Sequence, residues 1–187
     1  VTAKLQSHLH LFDVIVGTEE EFHIAGGSTD TLDALRAVRR VSAATLVCKR
    51  GPMGAVAFEG EIPGNLDDGQ AGPGFPIEVF NVLGAGDGFM SGLLKGWLDG
   101  EDWPTTLKYA NACGAFAVSR HGCTPADPSW EELQFSSSAG SSGRTCATTR
   151  NWNRCTGRPT GTRPRPAATG RPCGYLPSTT GRNWRRW

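Results

Sequence analysis

The segment from residue 77 to residue 100 constrains the fold most, because three features follow one another in it. Ile77–Val82 is an apolar run typical of a strand, Gly84–Gly88 is a glycine-rich turn, and Asp87–Leu98 carries apolar residues on nearly every helical face. A helix that is apolar all round is expected to be buried on most sides. Gly100 follows it as a C-cap signal. The segment therefore predicts a strand, a tight turn and a buried helix.

The rest of the chain repeats this alternation of strands and helices. Thr18, with Glu21 three residues on, is typical of a capping box at a helix start. The remaining patterns predict strands at Leu11–Val16, Ala44–Cys48 and Gly54–Phe58, and helices from Ser28 or Thr29, over Pro104–Arg120 and over Pro128–Phe135. We therefore predict an α/β layered fold, a mostly parallel sheet flanked by helices. Four strands are few for such a fold, so we expect a partial one.

Charge divides the chain into two segments. Residues 1–135 hold nine basic and 18 acidic residues, whereas residues 136–187 hold ten Arg and no Lys, Asp or Glu. We interpret residues 1–135 as one domain and residues 136–187 as an Arg/Pro/Gly-rich tail. A shift of the reading frame by one base near Ser136 permits an acid-containing, helix-patterned continuation, so we favour a frame-shifted, disordered tail. A genuine basic tail and an RNA-binding arm with stacking tryptophans are the alternatives.

Several protein classes do not fit the composition. The first ten residues are polar and lack the apolar core of a signal peptide. No apolar run approaches the roughly 20 residues of a membrane helix. The six Cys form no CxxC pair, which favours isolated thiols in a reducing compartment. We expect a cytoplasmic protein whose partners are small molecules rather than nucleic acid or membrane.

The glycine-rich turn has the chemistry of an anion site. Small residues at Gly84, Ala85 and Gly86 let a ligand approach the backbone, and the first amides of the following helix present its positive dipole end. This arrangement suits a phosphate. Asp87 can accept a proton from a hydroxyl aimed at that phosphate, and phosphoryl transfer depends more on positioning and charge neutralisation than on base strength. The alternative is a tight turn with Asp87 as a plain N-cap.

The string GAGD, followed by Phe and a helix of small residues, resembles the C-terminal signature of the ribokinase, or PfkB, family of carbohydrate kinases. DVIVGTEEE resembles the family's Asn-x-x-Glu segment, which implies that Glu21 helps to hold Mg²⁺, although Thr18 stands where Asn is usual. The alternative for Glu21 is the capping box alone.

LVCKRG resembles the family's strand and turn under the nucleotide, with Cys48 and Leu46 in place of the usual Gly and Thr. It implies that Lys49 or Arg50 reaches the ATP phosphates and that Gly51 keeps the turn; a solvated basic turn is the alternative. Asn111 matches a helix residue beside the adenine pocket, or is an ordinary polar helix residue. Gly122 matches the family's closing Gly-Ala segment at the nucleotide.

The resemblance covers about residues 11–135 and implies an ATP-dependent sugar kinase that uses Mg²⁺, with Asp87 as base and Gly84, Ala85 and Gly86 as anion hole. VGTEEEF, CKRGPMGAV and LGAGDGFMSGLLKGWL look most like the inositol-catabolism branch, which acts on a keto-deoxy sugar acid. The matched part is the family's ATP-binding and catalytic half. Alternatives are an inactive fragment that at most binds nucleotide, and another sugar or nucleoside kinase. The sugar, a monovalent cation and a homo-oligomer stay open.

Overall fold

The computed structural model describes residues 1–120 and 126–138. Gly122 and residues 139–187 of the tail therefore lie outside the described residues. The helices are α1 (Thr2–Gln6), α2 (Glu19–Gly26), α3 (Thr31–Val41), α4 (Ala85–Asp99), α5 (Trp103–Ser119) and α6 (Trp130–Ser138). The strands are β1 (Val14–Thr18), β2 (Thr45–Lys49), β3 (Ala55–Phe58) and β4 (Gln70–Gly72), with short 3-10 turns at Leu9–Leu11, Gly51–Met53 and Leu66–Asp68.

The four described strands form one sheet in the order β1-β2-β3-β4. Only β1 and β2 are parallel, whereas β3 is antiparallel to both β2 and β4. The prediction of a mostly parallel sheet is therefore wrong. The reason lies in the connections, because parallel neighbours need a long crossover and antiparallel neighbours need only a tight turn. Helices α2 and α3 supply a crossover between β1 and β2, but only the turn at residues 50–54 joins β2 to β3.

Helices cover both faces of this sheet, so the prediction of an α/β layered fold is confirmed. Alternate residues of a strand face opposite sides. On one side, Leu46, Cys48 and Phe58 pack with residues of α2 and α3, among them Phe22, Leu35 and Val38. On the other side, Val47, Ala55 and Ala57 pack with Phe89 and Leu93 of α4 and with Leu107 and Ala110 of α5.

The strand predicted at Ile77–Val82 is absent from the structure, and β4 is the fourth strand instead. The backbone N–H groups of Phe80 and Asn81 both donate to the carbonyl of Val118 near the end of α5, at 2.7 and 3.2 Å. Val79 and Phe80 are each 58% exposed. A strand needs a ladder partner, and this apolar segment is held by a helix end instead.

Helix α4 agrees with its prediction in position but not in burial. It ends at Asp99, and Gly100 adopts the left-handed conformation with φ 77°. However, Leu94 and Leu98 are 42% and 74% exposed, so one side of this apolar helix is open. Across the described ranges, no helix is both long and apolar enough to span a membrane.

A stripe of glycines brings α4 close to α5. A Cβ atom added to Gly92 would lie 2.5 Å from the carbonyl oxygen of Tyr109, and one added to Gly96 would lie 2.8 Å from the Cα of Thr106. At Gly88 the nearest atom would be the Cβ of Ala117, at 3.1 Å. The two helices are therefore antiparallel and in close contact, with the start of α4 beside the last turns of α5.

Candidate functional site

The glycine turn before α4 lies at the same end of the molecule as the carboxyl ends of β1 and β2. The side-chain amide of Asn111 in α5 donates to the carbonyl of Gly72 at 2.9 Å. Gly72 is in register with Ala55, and Ala55 with Lys49 at the end of β2. Two residues after Asn111, the carbonyl oxygen of Cys113 would lie 3.1 Å from a Cβ atom added to Gly88. The structure thus brings the predicted anion site and the predicted nucleotide turn to one end of the sheet.

The backbone of the glycine turn leaves two amides available. Gly84 adopts φ 86°, and its carbonyl accepts from the N–H of Gly88 at 2.8 Å. The N–H of Ala85 donates to Val82 at 3.3 Å, whereas those of Gly86 and Asp87 have no acceptor among the described residues. A Cβ added to Gly86 would meet no protein atom within 4 Å. The turn therefore presents unpaired N–H donors to open space, and this arrangement suits an anion.

Asp87 lies exposed in the first turn of α4. The N-cap of α4 is Gly84, so the interpretation of Asp87 as a plain N-cap is wrong. Burial and, after it, the negative charge of Asp87 raise the pKa of Asp127, so we infer that a second carboxylate lies near Asp87. Sequence reasoning missed Asp127, which lies just past the segment around Gly122.

Glu21 forms the predicted capping box. Its Oε2 accepts from the backbone N–H of Thr18 at 2.6 Å, and the Thr18 hydroxyl accepts from the N–H of Glu21 at 3.2 Å. Lys49 Nζ lies 3.7 Å from the same oxygen, so Oε1 keeps no protein partner in the described part of the chain. No group of three or more His, Cys, Asp or Glu that could hold a metal occurs among the described residues. Mg²⁺ ordinarily takes one or two carboxylates together with phosphate oxygens and water, and Glu21 fits that role only beside a phosphate.

The two basic residues of the turn differ in how far they are engaged. The Nη1 atom of Arg50 lies 2.6 Å from Oδ1 of Asp67, and its Nε atom lies 3.6 Å from Oε1 of Glu19. The side chain of Arg50 is only 16% exposed. It ties the loop between β3 and β4 to the start of α2, so it is not a solvated cation. Lys49 has a single, longer ion pair. Gly51 adopts φ 56° with open space around it, in agreement with its predicted place in the turn.

Asn111, which is predicted to border the nucleotide, and Cys48, which replaces the family's Gly, both have neighbours within the protein. Asn111 donates to the carbonyls of both Gly72 and Pro73, so it links α5 to the segment after β4. Its place beside an adenine pocket stays a prediction. Cys48 is fully buried in β2, and burial raises the pKa of its thiol to about 12, which keeps it protonated and unreactive at neutral pH.

Sequence reasoning also missed a polar network beside the glycine turn. The side chain of Asn81 donates to the carbonyl of Arg120 at 3.1 Å. The guanidinium of Arg120 contacts both carboxylate oxygens of Glu132, at 2.8 and 3.2 Å. Ser129 and Glu132 form a second capping box, and this Ser-x-x-Glu spacing is the signal that could have indicated Glu132. Nothing local in the sequence connects Asn81 with Arg120.

The amino-acid sequence is similar to those of known carbohydrate kinases. The model of the pfkB family carbohydrate kinases matches residues 1–130. A 5-dehydro-2-deoxygluconokinase of Bacillus subtilis is 31% identical over 126 residues, which are 65% of this chain and 37% of that protein. The chain thus spans little more than a third of the length of this relative.

Solved structures agree with that match. A fructokinase from Vibrio cholerae O395, bound to fructose, ADP and calcium ion, is 27% identical with a TM-score of 0.62, over 72% of this chain and 44% of that one. An aminoimidazole riboside kinase from Salmonella enterica, at 24% identity and a TM-score of 0.61 over 73% of this chain and 46% of that one, supports the fold alone. Because the family model covers most of the sequence and the described fold agrees with it, the chain belongs to the pfkB family of carbohydrate kinases.

Proposed function

We propose that this chain carries the ATP-binding and catalytic half of a carbohydrate kinase, which transfers a phosphoryl group from ATP to a sugar hydroxyl. The observation that carries the proposal is the glycine turn. Its free N–H groups at Gly86 and Asp87 face an open approach, and the Asp87 carboxylate follows directly. Membership of a carbohydrate kinase family makes phosphate the anion that best fits this turn.

In this mechanism the backbone supplies the charge stabilisation. The N–H groups of Gly86 and Asp87, together with the positive end of α4, neutralise charge on the transferred phosphoryl group. A carboxylate oxygen of Asp87 takes the proton of the substrate hydroxyl as the O–P bond forms and the bond to ADP breaks. Because the transition state is loose, the position of Asp87 matters more than its basicity.

Lys49 is the cation that we assign to the nucleotide phosphates, because Arg50 is already held by two carboxylates. Glu21 is the residue that would hold a divalent cation, through the oxygen that its capping box leaves free. When bound, Mg²⁺ would offset the negative charge of the ATP phosphates. The bound ADP and calcium ion of the V. cholerae fructokinase support a nucleotide and a divalent cation in this fold.

The substrate that we propose is a keto-deoxy sugar acid of inositol catabolism, as the similarity to a 5-dehydro-2-deoxygluconokinase suggests. A second candidate is another sugar, which the similarity to a fructokinase favours. A third candidate is nucleotide binding without turnover. The chain spans about 37% of the matched relative.

Replacement of Asp87 tests the proposed function. We measure phosphorylation of 5-dehydro-2-deoxygluconate, fructose and ribose with Mg·ATP, both for the 187-residue chain and for a longer version that restores the length of the relatives. Asp87→Asn should lower kcat by at least about a hundredfold, because a positioned general base contributes 10²–10⁴-fold. The affinity for ATP should stay within about threefold, since the amides remain.

The matched control is Asp33→Asn, an exposed Asp on α3 at the opposite face of the sheet, which should leave turnover unchanged. Full turnover by Asp87→Asn in the longer version contradicts the assignment of the base. Turnover by the longer version alone supports the fragment interpretation of the 187-residue chain.

A further inference from the structure

We propose that Asn81 and the Arg120–Glu132 ion pair position the glycine turn, so that the free amides of Gly86 and Asp87 point at the phosphate. That a phosphate binds to this turn rests on the proposed function, whereas the ordering of the turn by these residues does not. All three are positioning residues, since they act on the turn through its backbone.

Asn81 joins the entry of the turn to the end of α5. Its Nδ2 donates to the carbonyl of Arg120 at 3.1 Å, and its Oδ1 accepts from the backbone N–H of Leu83 at 2.8 Å. Leu83 directly precedes Gly84, and its side chain is 71% exposed, so packing of Leu83 does little to hold the turn. The side-chain amide of Asn81 therefore connects Leu83 to the end of α5, next to the backbone hydrogen bonds of Phe80 and Asn81 to Val118.

The carbonyl that Asn81 contacts is not held by helical geometry. Arg120 is the C-cap of α5, with φ −128° and ψ 165°, so its backbone has already left the helix. Its side chain supplies the missing anchor. The guanidinium lies over the ring of Phe116 at 4.3 Å and pairs with both oxygens of Glu132. The two side chains are only 10% and 17% exposed.

Glu132 is itself fixed at the start of α6. Its Oε2 accepts from the backbone N–H of Ser129 at 2.9 Å, and its own N–H donates to the Ser129 hydroxyl at 3.3 Å. Bidentate Arg–carboxylate pairs are geometrically specific, so the pair sets the place of Arg120 and, through its carbonyl, that of Asn81. A continuous chain of contacts thus runs from α6 to the anion site.

A positioning role and a merely structural role predict different outcomes. If the network only packs α6 on α5, its loss lowers the overall stability of the protein and weakens the binding of every ligand alike. If it positions the turn, its loss disorders the first amides of α4 and weakens phosphate binding selectively. The N–H groups of Ala85 and Gly88 report on the turn, because their acceptors are Val82 and Gly84.

The test compares Asn81→Ala with the unchanged 187-residue chain. In the free protein, hydrogen exchange at Ala85 and Gly88 should accelerate about tenfold or more, while that at Ala110 inside α5 stays constant, because local opening is confined to the turn. In titrations, the Kd for ATP should rise about tenfold and that for adenosine should stay within about twofold, since only ATP uses the turn.

Glu132→Gln should act in the same direction, and its effects should not add to those of Asn81→Ala, because both variants interrupt one chain of contacts. Asp33→Asn, which breaks the exposed 3.2 Å pair with Arg36, is the control and should change neither exchange nor binding. Unchanged exchange at Gly88, additive effects, or equal weakening of ATP and adenosine would overturn the inference. The exchange measurement needs no nucleotide, so failure of the proposed function in the Asp87→Asn assay is a separate outcome.

Discussion

Gly86 differs from the other glycines near the site in what its missing side chain allows. Gly84 needs its left-handed φ of 86°, and Gly92 needs its close contact with Tyr109. Gly86 has neither a positive φ nor a neighbour within 4 Å of an added Cβ. Nothing in the described protein therefore requires glycine there, and the free space is most simply explained by a ligand that approaches the backbone.

This explanation predicts that Gly86→Val separates folding from binding. The free energy of unfolding should change by no more than about 0.5 kcal/mol, because Val and Gly have similar helix propensities and the site is open. The Kd for ATP should rise about tenfold or more, since the side chain covers the amides that hold the phosphate. Urea unfolding and calorimetric titration measure the two quantities.

Gly64→Val is the control for this variant, because Gly64 also has nothing within 4 Å and lies in the loop between β3 and β4. It should leave ATP binding unchanged. Equal ATP binding by Gly86→Val and the unchanged chain would mean that phosphate binds elsewhere.

At the scale of elements, the glycine stripe determines where the proposed anion site lies. Gly88, Gly92 and Gly96 are spaced by four residues, so they share one face of α4. Their contacts with α5 let the two helix backbones approach closely. Because the start of α4 carries the free amides, this close packing sets their distance from the sheet.

Gly92→Ala tests the packing of α4 on α5. Alanine favours a helix by about 1 kcal/mol over glycine, yet its Cβ would lie 2.5 Å from the Tyr109 carbonyl and 2.8 Å from the Cα of Ala110. The helices must separate, so we expect the free energy of unfolding in urea to fall by about 1–3 kcal/mol. Gly86→Ala, in the same helix with open space, should leave stability unchanged or raise it. A rise in both variants contradicts tight packing at Gly92.

At the scale of the whole molecule, the chain leaves apolar surface open. Leu94, Trp97 and Leu98 are 42%, 39% and 74% exposed, and their spacing puts them on one side of α4. Among the described strands, β1 pairs only with β2, so its other edge carries free backbone groups. Exposed apolar patches and open strand edges both favour association between chains.

We therefore expect self-association that depends on the apolar side of α4. The double change Leu94→Gln, Leu98→Glu should raise the concentration up to which the chain sediments as a monomer, because it removes apolar surface and adds charge. Leu5→Gln in α1, at a residue that is 40% exposed, is the control and should have little effect. Identical concentration dependence in sedimentation velocity for all three proteins would show that this face does not drive association.

The sequence by itself determined the features that depend on near neighbours. The capping box of Thr18 and Glu21, the left-handed end of α4 at Gly100 and the apolar strands β2 and β3 all follow from residues a few positions apart. Glycine turns and helix caps are local chemistry, so the glycine turn before α4 and the family motif could also be identified from the sequence.

Only the tertiary structure decided which groups meet across the chain. It pairs the backbone of the segment after Ile77 with a carbonyl of helix α5 instead of with a strand, and it leaves one side of α4 exposed to solvent. It also joined Asn81 to Arg120, 39 residues away, through a single hydrogen bond. Burial and hydrogen-bond partners are properties of the packed chain, because each depends on atoms that no local pattern specifies.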